Sequence, residues 1–529
     1  MTVVGILPQD YSLLLPSAAG VGRDVELFVA APVPVTRVPR RNVGYRIVAR
    51  LKPGVTPLQA QGEMDAHWTR MRQDYQLYAD TDYHGHVVPL LDDLVADVRP
   101  MVLALFGAVL FLLLIACTNV AGLLLVRATA RSSEMSIRAA LGGSRARLTQ
   151  QMLSEGVVLG GLSAALGLLF AIGAVSLFSA ARPVELPRMD TIALDGAALG
   201  FSILVTLCAV LVFGLVPAAK GWRTDLARSL QGRGAASTDA GREQLRSALV
   251  VGEVALSLVL LIGAGLMVRS SLSLDRVDPG YTSENLLTFQ AVPPPGAFRT
   301  AEERVAFALG LKERLEDLPG VELASGAGGI PFAIGGGMGR AGPEAALADE
   351  SLNQQSRYTY VLPGYFETLE AQLIEGRTFS AAEHTDSIPV VMVDHLLAQA
   401  LWPGESAVGK VLVTRPGGGD PTPHEVVGVV EHQLQESLTE RGEDWHYYPY
   451  RYYGARNSLS WVVRTSVPPE SVVPMVRREV EALAPGTPVS RVRTMASYLS
   501  AARAPTRFAL SLIGFFAISA LVLAILGLY

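Results

Sequence analysis

Apolar and polar stretches alternate along this chain on a scale too long for a soluble core. Residues 101–126, 156–181 and 196–219 carry no charged side chain, residues 249–268 carry only Glu253, and Phe508 to Tyr529 are again uncharged. About 20 helical residues cross about 30 Å of hydrocarbon, so the pattern predicts four complete spans in a membrane domain covering 99–268. A fifth span is expected in 507–529, where a second membrane domain begins.

Between the apolar stretches the periodicity shortens. Thr300 and Glu303 form a capping box, and Val305, Ala308, Leu311, Leu315 and Leu318 follow at helical spacing until Pro319-Gly320. Runs rich in β-branched residues at Ile388–Val393, Glu425–Val430 and Trp461–Arg464 read as strands, alternating with helices at Asp394–Trp402 and Pro469–Leu483. Residues 269–506 are therefore expected to form an α+β domain outside the hydrocarbon. The fold class is a multi-span α-helical membrane protein with α+β domains beyond the bilayer.

Charge orients the spans, because cytoplasmic loops retain Lys and Arg. Arg127, Arg131, Arg138, Arg145 and Arg147 follow the first segment, and Lys220, Arg223, Arg228, Arg233, Arg242 and Arg246 follow the third. Both loops are expected inside, which puts residues 1–100 and 269–506 outside. The turn after the second segment balances Arg182 and Arg188 with Glu185, Asp190 and Asp195, as an outer loop can.

The two polar regions share an order of features. Val3-Val4-Gly5 returns as Val426-Val427-Gly428. Arg46 to Arg50, then Pro53 and a helix, returns as Ser460 to Arg464, then Pro468 and a helix. Residues 1–98 thus read as the back half of a first copy of the α+β domain. Met1 to Val35 shows no basic-then-apolar leader, whereas a domain outside the membrane needs a signal or a preceding span, so the chain is expected to be a fragment of a longer protein. A net charge of −5 offers no basic field for nucleic acid, and Cys117 and Cys208 both fall inside apolar segments, so no disulfide framework is expected.

Several motifs then carry a resemblance. Ala116-Cys117-Thr118-Asn119-Val120, Ser133-Glu134-Met135-Ser136-Ile137-Arg138-Ala139-Ala140-Leu141-Gly142-Gly143-Ser144, Phe213-Gly214-Leu215-Val216-Pro217-Ala218, Val251-Gly252-Glu253-Val254-Ala255-Leu256, Pro363-Gly364-Tyr365-Phe366 and Gly376-Arg377-Thr378-Phe379 span most of the sequence. Together they resemble the FtsX-like, MacB-like permeases of ABC transporters, and most closely a duplicated type best known from acidobacteria. The resemblance implies a MacB-like periplasmic core and a bacterial inner-membrane permease subunit. That subunit couples ATP hydrolysis by a separate cytoplasmic ABC ATPase to conformational change in its periplasmic domains, for export or efflux. It also implies a permease dimer, or a pseudo-dimer between duplicated halves, with a periplasmic adaptor as a further candidate partner. The alternative it offers is an FtsX-like transmembrane regulator of an extracytoplasmic cell-wall hydrolase.

The candidate functional residues fall in two places. Ser132 to Leu141 reads as a cytoplasmic helix stopped by Gly142-Gly143, with Ser144 capping the next helix. Glu134, Ile137, Arg138, Leu141, Gly142, Gly143 and Ser144 form the candidate ATPase-coupling element; a helix lying on membrane lipid is the alternative. Glu253, a charge inside an apolar span, is expected to serve packing or a salt bridge. No catalytic, cofactor or metal residues are expected. Gly404-x-x-x-x-Gly409-Lys410 has Val411 where a phosphate loop needs Ser or Thr for Mg²⁺ and reads as a turn. The glycine runs at 326–329 and 335–342 read as mobile loops, and His84 with His86 lacks a third ligand nearby.

Overall fold

The computed structural model describes residues 3–8, 11, 28, 47–75, 84–96, 98–130, 158, 161–176, 195–205 and 235–528, the last stretch with gaps at 295, 334–335, 387, 416–419 and 453–457. The chain divides into two compact units. Unit 1 holds Met1–Leu94 and Arg276–Arg503, and unit 2 holds Val95–Asp275 and Ala504–Tyr529.

Unit 2 is helical. Helices α1 (Pro57–Asp74) and α2 (Leu90–Val95) precede it, and it contains α3 (Arg99–Ala130), α4 (Gly161–Ser176), α5 (Gly196–Val205) and α6 (Ala235–Asp275). Among the described residues three helical stretches are long and apolar enough to cross a membrane: Arg99–Val120, Ser247–Asp275 and Met495–Gly527. The segments expected at 156–181 and 196–219 are described only as the shorter apolar helices α4 and α5; the rest of each lies outside the described residues. Ala108 and Ile115 of α3, Leu260 of α6, and Ala517 and Ala520 of the last helix are all buried together. Small side chains let backbones approach closely, which is how spans associate where lipid already satisfies apolar surface. Phe106, Ile262, Phe515 and Ile518 stay exposed, as lipid-facing positions should.

Unit 1 is built on an eleven-stranded sheet. Its strands are β1 (Leu286–Ala291), β2 (Val321–Ala327), β3 (Gly337–Pro343), β4 (Gln354–Val361), β5 (Leu373–Gly376), β6 (Val390–Asp394), β7 (Val411–Thr414), β8 (Thr422–Val430), β9 (Trp445–Pro449), β10 (Leu459–Thr465) and β11 (Val489–Thr494). Helices α7 (Ala301–Glu316), α8 (Tyr365–Leu369), α9 (Ala381–Thr385), α10 (His395–Leu401) and α11 (Val473–Leu483) are interleaved with them, and α12 (Met495–Leu528) follows β11, with its residues from Ala504 onward in unit 2. Pairing runs β11, β1, β10, β2, β4, β3, β7, β8, β6, β9, and β9 then pairs with β4. Strands β4, β3, β7, β8, β6 and β9 therefore close into a ring. Of the remaining five, β5 pairs with β8, and β2, β10, β1 and β11 extend from the ring, joined where Ala327 of β2 pairs with Val361 of β4.

Strand β10 shows why Trp461, Val462 and Val463 are apolar in succession. Leu459, Trp461 and Val463 enter one core with Leu287 and Phe289 of β1, while Val462 enters a second core with Leu286, Tyr365 and Phe366. Both faces are covered, so the strand needs no polar alternation. Helix α7 lies on the first core: its Thr300–Glu303 capping box forms as the sequence predicts, and Val305, Ala308, Leu311 and Leu315 are buried with Val476 and Val480 of α11.

The glycine-rich segments depart from expectation. Gly326 lies in β2, and Gly337 to Gly342 lie in β3, paired with both β4 and β7. A Cβ on Gly337 would overlap the Tyr358 ring, and one on Gly339 would sit 3.2 Å from it. Glycine is there because an aromatic ring lies flat on the strand, not because the loop moves. In the N-terminal region α1 carries a Thr56–Gln59 capping box, and the Gln61 side chain bonds Gly85 O at 2.9 Å and Val87 N at 2.7 Å. Residues 47–50 pair with no strand among the described residues, unlike β10, which β1 and β2 flank.

Candidate functional site

The strongest polar feature of the spans joins three helices. Asn119 of α3 donates through Nδ2 to the Leu523 carbonyl of α12 at 2.9 Å, and oxygens of Asn119 and of Glu253 of α6 both border Gly527 of α12. Glu253 is only 2% exposed. One turn further along α6, the buried Ser257 reaches the Ala520 carbonyl at 3.5 Å. Gly527 of α12 seals the site, because a Cβ there would overlap Asn119 Oδ1 and stand 2.5 Å from Glu253 Oε2. No Lys, Arg or His among the described residues forms a salt bridge with Glu253, and Asn119 and Ser257 make the side-chain hydrogen bonds that cross between these helices. Such bonds hold helices together in a medium with no water to compete.

A second polar cluster fills the ring of unit 1. Tyr448 of β9 donates to Thr414 Oγ1 of β7 at 2.7 Å, across strands that are not neighbours, so this face is the ring interior. His446 bonds Ser356 Oγ at 3.3 Å and Tyr448 Oη at 3.1 Å, and His424 meets Thr414 Oγ1 at 3.3 Å and the Thr422 carbonyl at 2.9 Å. Burial pushes His446 down to about 3, with His424 adding to the shift, and pushes His424 down to about 4. Both rings are neutral at physiological pH. A Ser beside a neutral His is one part of a nucleophile, yet no carboxylate among the described residues orients the His and every member is buried. The cluster is a packed polar core.

His432 is the opposite case. Its Nδ1 faces Asp394 Oδ2 at 2.6 Å and its Nε2 faces the Arg441 carbonyl at 2.6 Å. Both partners are acceptors, so both ring nitrogens must donate and the ring is an imidazolium. Burial alone would lower its pKa, but the bond to Asp394 and that residue's charge outweigh burial and hold it raised. The other Asp394 oxygen caps α10 through Leu397 N at 2.8 Å. Lys410 pairs with the exposed Glu405, and Gly404 and Gly409 take positive φ of 78° and 80°, so that segment is a turn leading into β7. Among the described residues no group of three His, Cys, Asp or Glu could hold a metal.

A model of the MacB-like periplasmic core domain matches residues 247–483, and a model of the FtsX-like permease C-terminal region matches residues 106–225. This chain belongs to the MacB/FtsX-type permeases of ABC transporters. That family is a membrane permease component, not itself an enzyme, and its members work with a cytoplasmic ATPase. Solved structures similar to the permease include the periplasmic region of MacB from Actinobacillus actinomycetemcomitans, at 14% identity and a TM-score of 0.29, covering 42% of this chain and 95% of that one. The extracellular domain of the noncanonic ABC-type transporter YknZ from Gram-positive bacteria is similar at 17% identity and a TM-score of 0.27, covering 40% of this chain and 100% of that one. No curated relative matches the chain.

Of the residues singled out in the permease sequence, Glu253 sits in the intramembrane bridge. Glu134, Ile137, Arg138, Leu141, Gly142, Gly143 and Ser144 lie outside the described residues. Sequence reasoning missed Asn119 and Gly527. Asn119 was legible in principle, as an amide in a span that lipid cannot satisfy, and Gly527 was not, because its role is the space it leaves.

Proposed function

We propose that the permease converts ATP hydrolysis by a separate cytoplasmic ATPase into movement of its extracytoplasmic domain, and that it works in export. Its place is the bacterial inner membrane, with residues 1–100 and 269–506 outside. The observation that supports the reading is helix α12. Met495 and Leu499 at its start are buried, Met495 in a core of unit 1, while Ala517, Ala520 and Leu523 further along pack among the spans. The helix runs from Met495 to Leu528 and carries Pro505 inside it, where one backbone hydrogen bond is missing. Helix α6 adds reach: its 41 residues extend about 60 Å, twice the hydrocarbon thickness.

On this reading residues 99–268 and 507–529 belong to membrane domains, and Glu134 to Ser144 seat on the ATPase. The permease acts as a dimer or as a pseudo-dimer of duplicated halves. The test is co-reconstitution of the cognate ATPase with the permease and with a variant carrying a flexible Gly-Ser insertion after Arg503. Wild type should stimulate ATP hydrolysis and transmit it outward; the insertion should keep ATPase binding and lose the outward response. An insertion variant that responds like wild type would refute transmission through α12.

A further inference from the structure

We propose that Glu253 carries a proton in the folded permease and pairs with Asn119 as a neutral acid–amide ring, so that one proton completes a bridge across α3, α6 and α12. The argument begins with atoms that lack partners. Glu253 Oε1 and Asn119 Oδ1 are both buried without a hydrogen bond. Both face the space beside Gly527: a Cβ there would lie 2.9 Å from Oε1, 2.5 Å from Oε2, and in overlap with Oδ1. Buried acceptors that border one space repel unless they share a hydrogen.

Asn119 cannot supply that hydrogen by turning over. Its Nδ2 donates to the Leu523 carbonyl at 2.9 Å, and exchanging Nδ2 with Oδ1 would set an oxygen against that carbonyl oxygen. The amide is thereby fixed by α12, and the donor must come from Glu253. A carboxylic acid donates through one oxygen and accepts through the other, while the amide accepts at Oδ1 and has a second N–H beyond the one used on Leu523. The pair then satisfies every polar atom that the two side chains present to each other. An ionised Glu253 would instead hold a buried charge with no cation beside it among the described residues, which is the costlier state in lipid. The other titratable side chain described in this part of the spans is Cys117 of α3. Helix α6 carries none but Glu253 between Ala248 and Val268, and α12 none between Phe508 and Leu528.

The bridge has a consequence for the spans. Asn119 and Glu253 come from helices separated by more than a hundred residues, and Leu523 from a third, so loss of the proton releases three elements at once. Glu253→Gln replaces the acid by an amide that can still donate to Oδ1, and it should leave the bridge intact. Gly527→Ala should open it by driving a methyl into both side chains.

The measurement is infrared difference spectroscopy of the full chain in lipid nanodiscs, wild type minus E253Q, together with the half-life of each at a fixed elevated temperature. We expect a protonated-carboxyl C=O stretch in the difference spectrum that moves in heavy water and shifts in N119L. E253Q should match the wild-type half-life within about twofold, while G527A and E253K should shorten it by about tenfold or more. A carboxylate band in place of the protonated one would overturn the proposal, as would an E253Q variant as short-lived as E253K. Protection of wild type by sodium over choline that E253Q lacks would also overturn it, because a metal cation would then occupy the proton's place.

Discussion

Acid should unfold the extracytoplasmic domain well before its carboxylates titrate. His446 is pushed down to about 3 and His424 and His384 to about 4, each by burial first, against the ordinary value of about 6.5 for an exposed histidine. The folded state keeps these rings neutral, whereas the unfolded chain takes up protons as pH falls below about 6.5. Stability is therefore fully present above that pH and is lost progressively as pH falls toward the folded values. At about pH 5 the deficit is about 1.5 pH units per ring, or about 2 kcal/mol each and about 6 kcal/mol for the three. That is comparable to the whole stability of many domains.

Two other groups do not mask the effect. His432 is raised, so its contribution is complete below about 6.5 and is lost as pH rises through its folded value. Glu383 is held at about 2 chiefly by its bond to Arg377, so its contribution is lost only below about 4.5. The assay is denaturant unfolding of the full chain in detergent, followed by tryptophan fluorescence, since Trp445 and Trp461 are buried in this domain. The midpoint should fall steeply between about pH 6.5 and 5, and the fall should shrink by about a third in a His446→Gln variant. A midpoint independent of pH over that range, or a fall unchanged in the variant, would refute the reasoning.

Three further outcomes follow from other residues. Leu141→Asp should place an unpaired charge in the ATPase contact and weaken association by about 2 to 4 kcal/mol, read as lost co-purification at equal membrane levels; undiminished recovery would remove residues 132–144 from the interface. Single cysteines at Ser237 and Ser380, in a chain lacking Cys117 and Cys208, should react with an impermeant thiol reagent on intact cells only at Ser380, and equal labelling would defeat the orientation. Tyr448→Phe should cost about 1 to 3 kcal/mol in the unfolding assay, because Thr414 and His446 lose a partner inside the ring; a change below about 0.5 kcal/mol would mean water replaces the hydroxyl.

Periodicity carried much of the fold but little of the sites. The α7 helix with its cap was legible from Thr300 to Leu315, and β6, β8 and β10 were legible from β-branched runs, because local spacing records which faces are buried. Strand β3 was not. Its glycines read as a loop, and only the Tyr358 ring across the sheet explains them. Closure of the ring through β4 and β9 depends on a pairing of residues about ninety apart, which no local pattern encodes. The same limit hid the intramembrane bridge: Glu253 stood out alone as a charge among apolar neighbours, while its partner Asn119 and the room left by Gly527 come from distant helices.

The central claim is that a separate ATPase drives the extracytoplasmic domain through the spans. Its most direct test is a pair of spin labels, one at Ser380 on each of two copies, in liposomes holding the permease with or without its ATPase. The account predicts that the label-to-label distance distribution changes on ATP addition only when the ATPase is present, and that ATP alone leaves it unchanged. A nucleotide-driven change with the permease alone, or none with the active ATPase bound, would contradict it.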